Sequence, residues 1–160
     1  MASSLEARPD TPDGNHLEAS TESFSYSRAI DDHESSIPVT KDTLGGKGFG
    51  LVEMAGLGLP VPPGFILTTG AWCEYHASDD RMPSDIDAEI TRQLHRLEEK
   101  TGKKLGDPTN PLIISVRSGA AVSMPGVLQT TLNVGINSTT VQALSQEIGE
   151  QAARESYRSL

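Results

Sequence analysis

Residues 45–50 read GGKGFG, four glycines around a lysine and a phenylalanine. Glycine in that quantity weakens the interior of a helix or a strand, so the run predicts a turn. The turn leads into a helix, because Leu51, Met54, Ala55 and Leu57 lie on one helical stripe before Gly58 and Pro60 stop it. Glycines at such a place let the backbone approach an anion closely. They also present N–H groups at a helix N-terminus, where the peptide dipole favours negative charge. Lys47 adds a mobile point charge suited to phosphate. The spacing is neither GxxxxGK[ST] nor GxGxxG behind a strand, and the kinase partners HRD and DFG are missing. From these residues alone two readings stand: a phosphate-binding loop, with Gly45, Gly46, Lys47 and Gly48 in contact, or a helix start with an incidental lysine.

A second loop carries the same kind of signal. Residues 112–116 (LIISV) are a continuous apolar run, which predicts a strand covered on both faces. The run ends in Arg117, followed by Ser118, Gly119 and, further along the loop, Ser123. Ligands of α/β sheets sit beyond the carboxyl ends of strands, and a guanidinium fork matches phosphate oxygens. The alternative is an arginine paired with a surface acid. Two loops, each with one cation among glycines and serines, point to a phosphorylated ligand.

Composition removes other classes. The chain has 160 residues and a formal net charge of -9, enough for one domain. Residues 1–38 carry -6 of that charge, so the body is close to neutral and offers no basic face for nucleic acid. No apolar run approaches the roughly 20 residues of a membrane helix. The N-terminus has no secretion signal and is too acidic for a transit peptide. A single cysteine, Cys73, fits a reducing cytosol, so a cytoplasmic location is expected. Four histidines and one cysteine show no metal-ligand spacing.

The organisation expected is an acidic tail, residues 1–22, too polar to order, followed by a folded body over 23–160. Residues 23–30 read as a weak edge strand, 31–38 as a loop and 65–68 as a short buried strand. Residues 69–77 read as a helix in which Cys73 is a small core residue. The clearest helix spans 85–101, with Ile86, Ile90, Leu94 and Leu97 inward, His95 outward and Gly102 as its stop. Ser84 with Asp87 resembles a capping box. Val141, Leu144 and Ile148 mark another helix capped by Asn137 or Ser138, and after Gly149 a further stripe of Ala153, Tyr157 and Leu160 begins. That stripe never completes, which suggests a chain shorter than the fold it was built for. Strands alternating with helices predict an α/β class with a mixed sheet.

The segments LGGKGFGLVEMAGLGLPVPPGFILTT, GKKLGD, PLIISVRSGAAVSMPG, TLNVGIN and ESYRSL closely resemble the N-terminal part of the pyruvate, phosphate dikinase family, over about residues 39–160. The wording VRSGAAVSMPG favours the dikinases over the related phosphoenolpyruvate synthases. The resemblance implies part of an ATP-grasp nucleotide-binding fold, in which Lys47 and Arg117 contact ATP phosphates and residues 118–126 cover them. The family uses magnesium and a phosphohistidine carrier to convert ATP, inorganic phosphate and pyruvate to AMP, pyrophosphate and phosphoenolpyruvate. Metal ligands, the phosphohistidine domain and the pyruvate-binding barrel would then lie outside this chain, on a separate partner chain or in missing sequence. One departure is local: the family continues the MPG segment with Met-Met-Asp-Thr, where this chain has Val127-Leu128-Gln129-Thr130. Three readings follow: the ATP-binding piece of a phosphotransferase, a non-catalytic nucleotide- or phosphate-binding module, or an inactive truncated remnant.

Overall fold

A computed structural model describes residues 25–119 and 130–159. The expected acidic tail, most of the loop after Gly119 (Ser123 included) and Leu160 lie outside the described residues. In chain order the elements are β1 (Ser27–Ala29), α1 (Lys41–Gly56), β2 (Phe65–Leu67), α2 (Thr69–Ala77) and α3 (Ser84–Thr101). They continue with β3 (Lys104–Leu105), β4 (Pro111–Leu112), β5 (Ile114–Arg117), β6 (Thr130–Val134), α4 (Thr140–Ile148) and α5 (Glu150–Arg158). Helices and strands are mixed as expected, but the described strands form three two-stranded ladders instead of one sheet. β1 pairs antiparallel with β2, β3 parallel with β4, and β5 antiparallel with β6.

The glycine-rich run is not a turn ahead of a helix. It lies inside α1, where Gly45 alone leaves helical geometry (φ 67, ψ 164) and kinks the helix. Thr40 caps the first turn by accepting from the Thr43 N–H at 3.1 Å. The inward stripe also differs from the one expected. Leu44, Gly48 and Val52 are buried, whereas Met54 is exposed and Leu57 is 78% exposed. The reason is steric. A Cβ on Gly48 would stand 3.0 Å from Cγ2 of Ile66 and 3.2 Å from its Cδ1. The face lacking that side chain is therefore the face on which β2 can pack closely. Ile37, Leu44 and Val52, with Phe49 and Ile66, make the first apolar cluster.

The helix α3 keeps its expected inward residues Ile86 and Leu97, and Gly102 terminates it in left-handed geometry (φ 66). The capping box is not formed: Pro83 occupies the cap with no side-chain bond, and the Ser84 hydroxyl donates to Asp85 instead. His95 is exposed and bonded to Glu98, as a solvated residue should be. Cys73, expected in a core, is exposed on α2, because α2 buries only Ala71. Residues 112–116 do not form one covered strand. β4 and β5 part at Ile113, and Ser115, Val116 and Arg117 are exposed. Nor is the short strand β2 fully buried, since Leu67 stands in solvent.

A second apolar cluster, Ile136, Leu144 and Ala153 with Ile113 and Val141 against it, joins α4, α5 and the strand region. Its entry turn is fixed by polar bonds. Thr140, fully buried, donates from Oγ1 to the Gly135 carbonyl at 2.9 Å and accepts from the Asn137 N–H at 2.8 Å. Asn137 Oδ1 accepts from the N–H groups of Thr139 and Thr140, which makes it the side chain that caps α4. Ile148, expected inward, is exposed, and Ala153 from α5 fills the cluster instead.

Candidate phosphate-binding site

Two local devices position Lys47. The Gly45 kink restarts the helix, so Gly46, Lys47 and Gly48 occupy the first turn of the segment that follows. First-turn N–H groups have no partner within their own helix. Leu44 and Gly48 point into the first cluster, so Lys47 between them faces solvent. Gly48 thus has a packing reason to be glycine, quite apart from any ligand.

Arg117 is the last residue of β5, opposite Thr130 of β6, and is exposed. Ser118 and Gly119 follow it into solvent. The two predicted loops, far apart in sequence, meet here. Lys47 Nζ donates to the Ser118 carbonyl at 3.1 Å, across 71 residues of chain. The structure therefore brings Gly45, Gly46, Lys47 and Gly48 to one side of a junction and Arg117, Ser118 and Gly119 to the other. Neither Lys47 nor Arg117 forms an ion pair with a described carboxylate. Some other cations are engaged, Lys100 with Asp31, Lys103 with Glu147 at 2.5 Å and Arg96 with Asp32 at 3.5 Å, while Arg81, Lys104 and Arg158 likewise form no ion pair with a described carboxylate. Among the described residues the junction thus carries two exposed cations and no paired acid, an arrangement that can neutralise an anion.

Among the described residues, depressions lie elsewhere. One runs along α3 beside Arg92, His95 and Arg96, and one lies between Leu59, Pro62 and Lys100. Neither borders Lys47 or Arg117. Among the described residues no group of three or more His, Cys, Asp or Glu could hold a metal ion, and no helix is long and apolar enough to cross a membrane.

Sequence reasoning missed a buried arginine. Arg28 on β1 is 5% exposed and donates to the carbonyls of Asp32, Ser35 and Ile37, pinning the loop that leads to α1. Its neighbours are Ser27 and Ala29, and the alternation that sets Phe24, Tyr26 and Arg28 against serines reads only as a weak edge strand. The Lys47–Ser118 contact was equally invisible, because it depends on how two distant loops approach.

No protein-family model matches the chain. Individual relatives do. Pyruvate, phosphate dikinase 1 (chloroplastic) of Oryza sativa subsp. japonica is 48% identical over 118 residues, which are 74% of this chain and 12% of the relative. The chain is a homologue of the pyruvate, phosphate dikinases over one segment of their length. Pyruvate, phosphate dikinase 2 of the same plant is 50% identical over 118 residues, 74% of this chain and 13% of the relative. The pyruvate, phosphate dikinase of Entamoeba histolytica is 46% identical over 119 residues, again 74% and 13%. The chain therefore spans about an eighth of the length of these curated relatives. Plant and amoebal dikinases match to nearly the same degree, so the similarity belongs to the dikinase segment itself and not to one lineage.

Proposed function

We propose that residues 23–160 form the ATP-binding portion of a pyruvate, phosphate dikinase-type phosphotransferase, built as part of an ATP-grasp nucleotide-binding domain and working in a reducing, cytoplasmic setting. The observation that carries this reading is the junction itself: Lys47 reaches the Ser118 carbonyl at 3.1 Å, so two loops that each hold one phosphate-seeking cation share one place. Lys47, with Gly45, Gly46 and Gly48 behind it, supplies a point charge and first-turn N–H donors. Arg117, with Ser118, Gly119 and Ser123, supplies a fork of donors and small residues that leave room for oxygens. Donors held in place where charge accumulates are what phosphoryl transfer requires of a protein.

The donor set fits a polyphosphate better than a metal ion. It offers cations, N–H donors and serine hydroxyls but no carboxylate, and magnesium is usually held by one or two carboxylates beside substrate phosphates. In this reading the metal, the phosphohistidine carrier and the pyruvate site belong to parts of a dikinase outside this segment, on a partner chain or further sequence. The conversion of ATP, phosphate and pyruvate to AMP, pyrophosphate and phosphoenolpyruvate is then a property of the whole assembly. Calorimetric titration of the chain with magnesium-ATP tests the proposal, with Lys47→Ala and Arg117→Ala alongside and a thermal melt of each to verify folding. Saturable binding lost in both variants supports it. A chain that melts cooperatively and takes up no ATP overturns it for this segment.

A further inference from the structure

We infer that Lys47 is a positioning residue for Arg117 as well as a phosphate contact: its bond to the Ser118 carbonyl sets the end of β5 before any ligand arrives. Among the described residues the strands β5 and β6 form a two-stranded antiparallel hairpin. Along it residues 115–119 and 130–132 are all exposed, so among the described residues no apolar core lies under the end that carries Arg117. A two-stranded hairpin without such cover is marginal in water. The tether comes from α1, where the ammonium of Lys47 donates to the carbonyl of the residue directly after Arg117. α1 can serve as the fixed point because Leu44 and Gly48, which flank Lys47 on the helix, are buried against Ile66 and its neighbours. Arg117 is thus held through a backbone carbonyl one peptide away, and its guanidinium makes no ion pair with a described carboxylate. An ammonium has three donors, so the one given to Ser118 leaves two for phosphate oxygens, and a bound phosphate can share Lys47 with the carbonyl.

The inference rests on the phosphate-binding reading for what Arg117 would meet, but the tether is testable without ligand. The readouts are the carbonyl carbon chemical shift of Ser118 and the amide hydrogen-exchange rates of Arg117, Ser118 and Gly119. They would be measured in the ligand-free chain and in Lys47→Met and Lys47→Arg, with the Val52 and Leu144 amides as controls. Lys47→Met should shift the Ser118 carbonyl and speed exchange at the hairpin end by about two- to fivefold, the size expected for an exposed charged contact. Lys47→Arg, which keeps charge and donors, should bring both back toward the wild-type values. Control amides should not move. Unchanged shift and exchange in Lys47→Met would overturn the tether, as would Lys47→Arg behaving like Lys47→Met. Adding sodium triphosphate then separates the two proposals. A tether seen in the free chain with no response to triphosphate leaves the positioning role standing and removes the phosphate site.

Discussion

Around α1 the apolar cluster of Ile37, Leu44, Val52, Phe49 and Ile66 is assembled by leaving side chains out, whereas around α4 and α5 the cluster of Ile136, Leu144, Ala153, Ile113 and Val141 is assembled by fixing turns. In the first, Gly48 lets β2 approach α1, and Gly45 re-aims the helix. In the second, Thr140 and Asn137 fix the entry to α4 by hydrogen bonds, and glycines at positive φ, Gly135 and Gly149, lie at its borders. The contrast teaches where function can be placed. A helix packed through its glycines turns a lysine outward beside a kink, and the candidate site lies there. A cluster closed by turn chemistry offers no such opening and serves as scaffold.

The largest expected effect is Gly135→Ala. The new Cβ would meet the Leu112 carbonyl oxygen at 2.6 Å and Leu105 Cδ1 at 2.9 Å, in a backbone at φ 106. Strain and overpacking together should cost roughly 4 kcal/mol in urea unfolding; a loss under about 1 kcal/mol would mean the second cluster does not depend on its turns. Next is Leu144→Ala, which truncates a buried side chain in that cluster. It should cost about 3 kcal/mol, and an equal loss in Leu44→Ala would show that the two clusters differ in assembly and not in depth.

Gly48→Ala gives a smaller effect and is the sharper test of the first cluster. Alanine is the better helix former by about 1 kcal/mol, yet the contact with Ile66 should reverse the sign and leave the variant about 1 kcal/mol less stable. In an Ile66→Ala background the same change should become neutral or stabilising. A Gly48→Ala chain more stable than wild type would break the account of α1.

The smallest effect is one of pH. The Asp107 carboxylate accepts from the Thr109 hydroxyl, the Thr109 N–H and the Asn110 N–H. The side-chain bond from Thr109 and the backbone bonds hold its pKa down at about 2, below the usual 3.8. A depressed carboxyl stabilises the fold above its unfolded value, and that contribution disappears as pH falls through the folded value. The advantage in melting temperature of wild type over Asp107→Asn should therefore be constant above pH 4 and shrink between about pH 4 and pH 2.

Much of the chain could be read in advance, and most of the failures share a cause. The α3 stripe, its Gly102 stop and the Asn137 cap depend on residues within a turn or two of one another, and they stand as expected. Most of the missed features need a partner far along the chain; the unformed Ser84–Asp87 capping box and the Arg28 bonds to Asp32, Ser35 and Ile37 are local exceptions. Cys73 is exposed because α2 lies on the body through Ala71 alone. Residues 115–117 are exposed because no described element covers β5 there. The α1 stripe is rotated because Ile66 approaches Gly48. In the candidate site the same division holds: both cations and their glycines were legible, and the bond joining them was not.

By itself, the sequence singled out Lys47 and Arg117 as candidate phosphate contacts and marked most of the helices, since donors, charge and helical period are properties of a few adjacent residues. Only the tertiary structure decided that Lys47 and Ser118 stand 3.1 Å apart. That distance depends on the packing of Gly48 against Ile66 and on the course of β5, contacts between residues that no local pattern links.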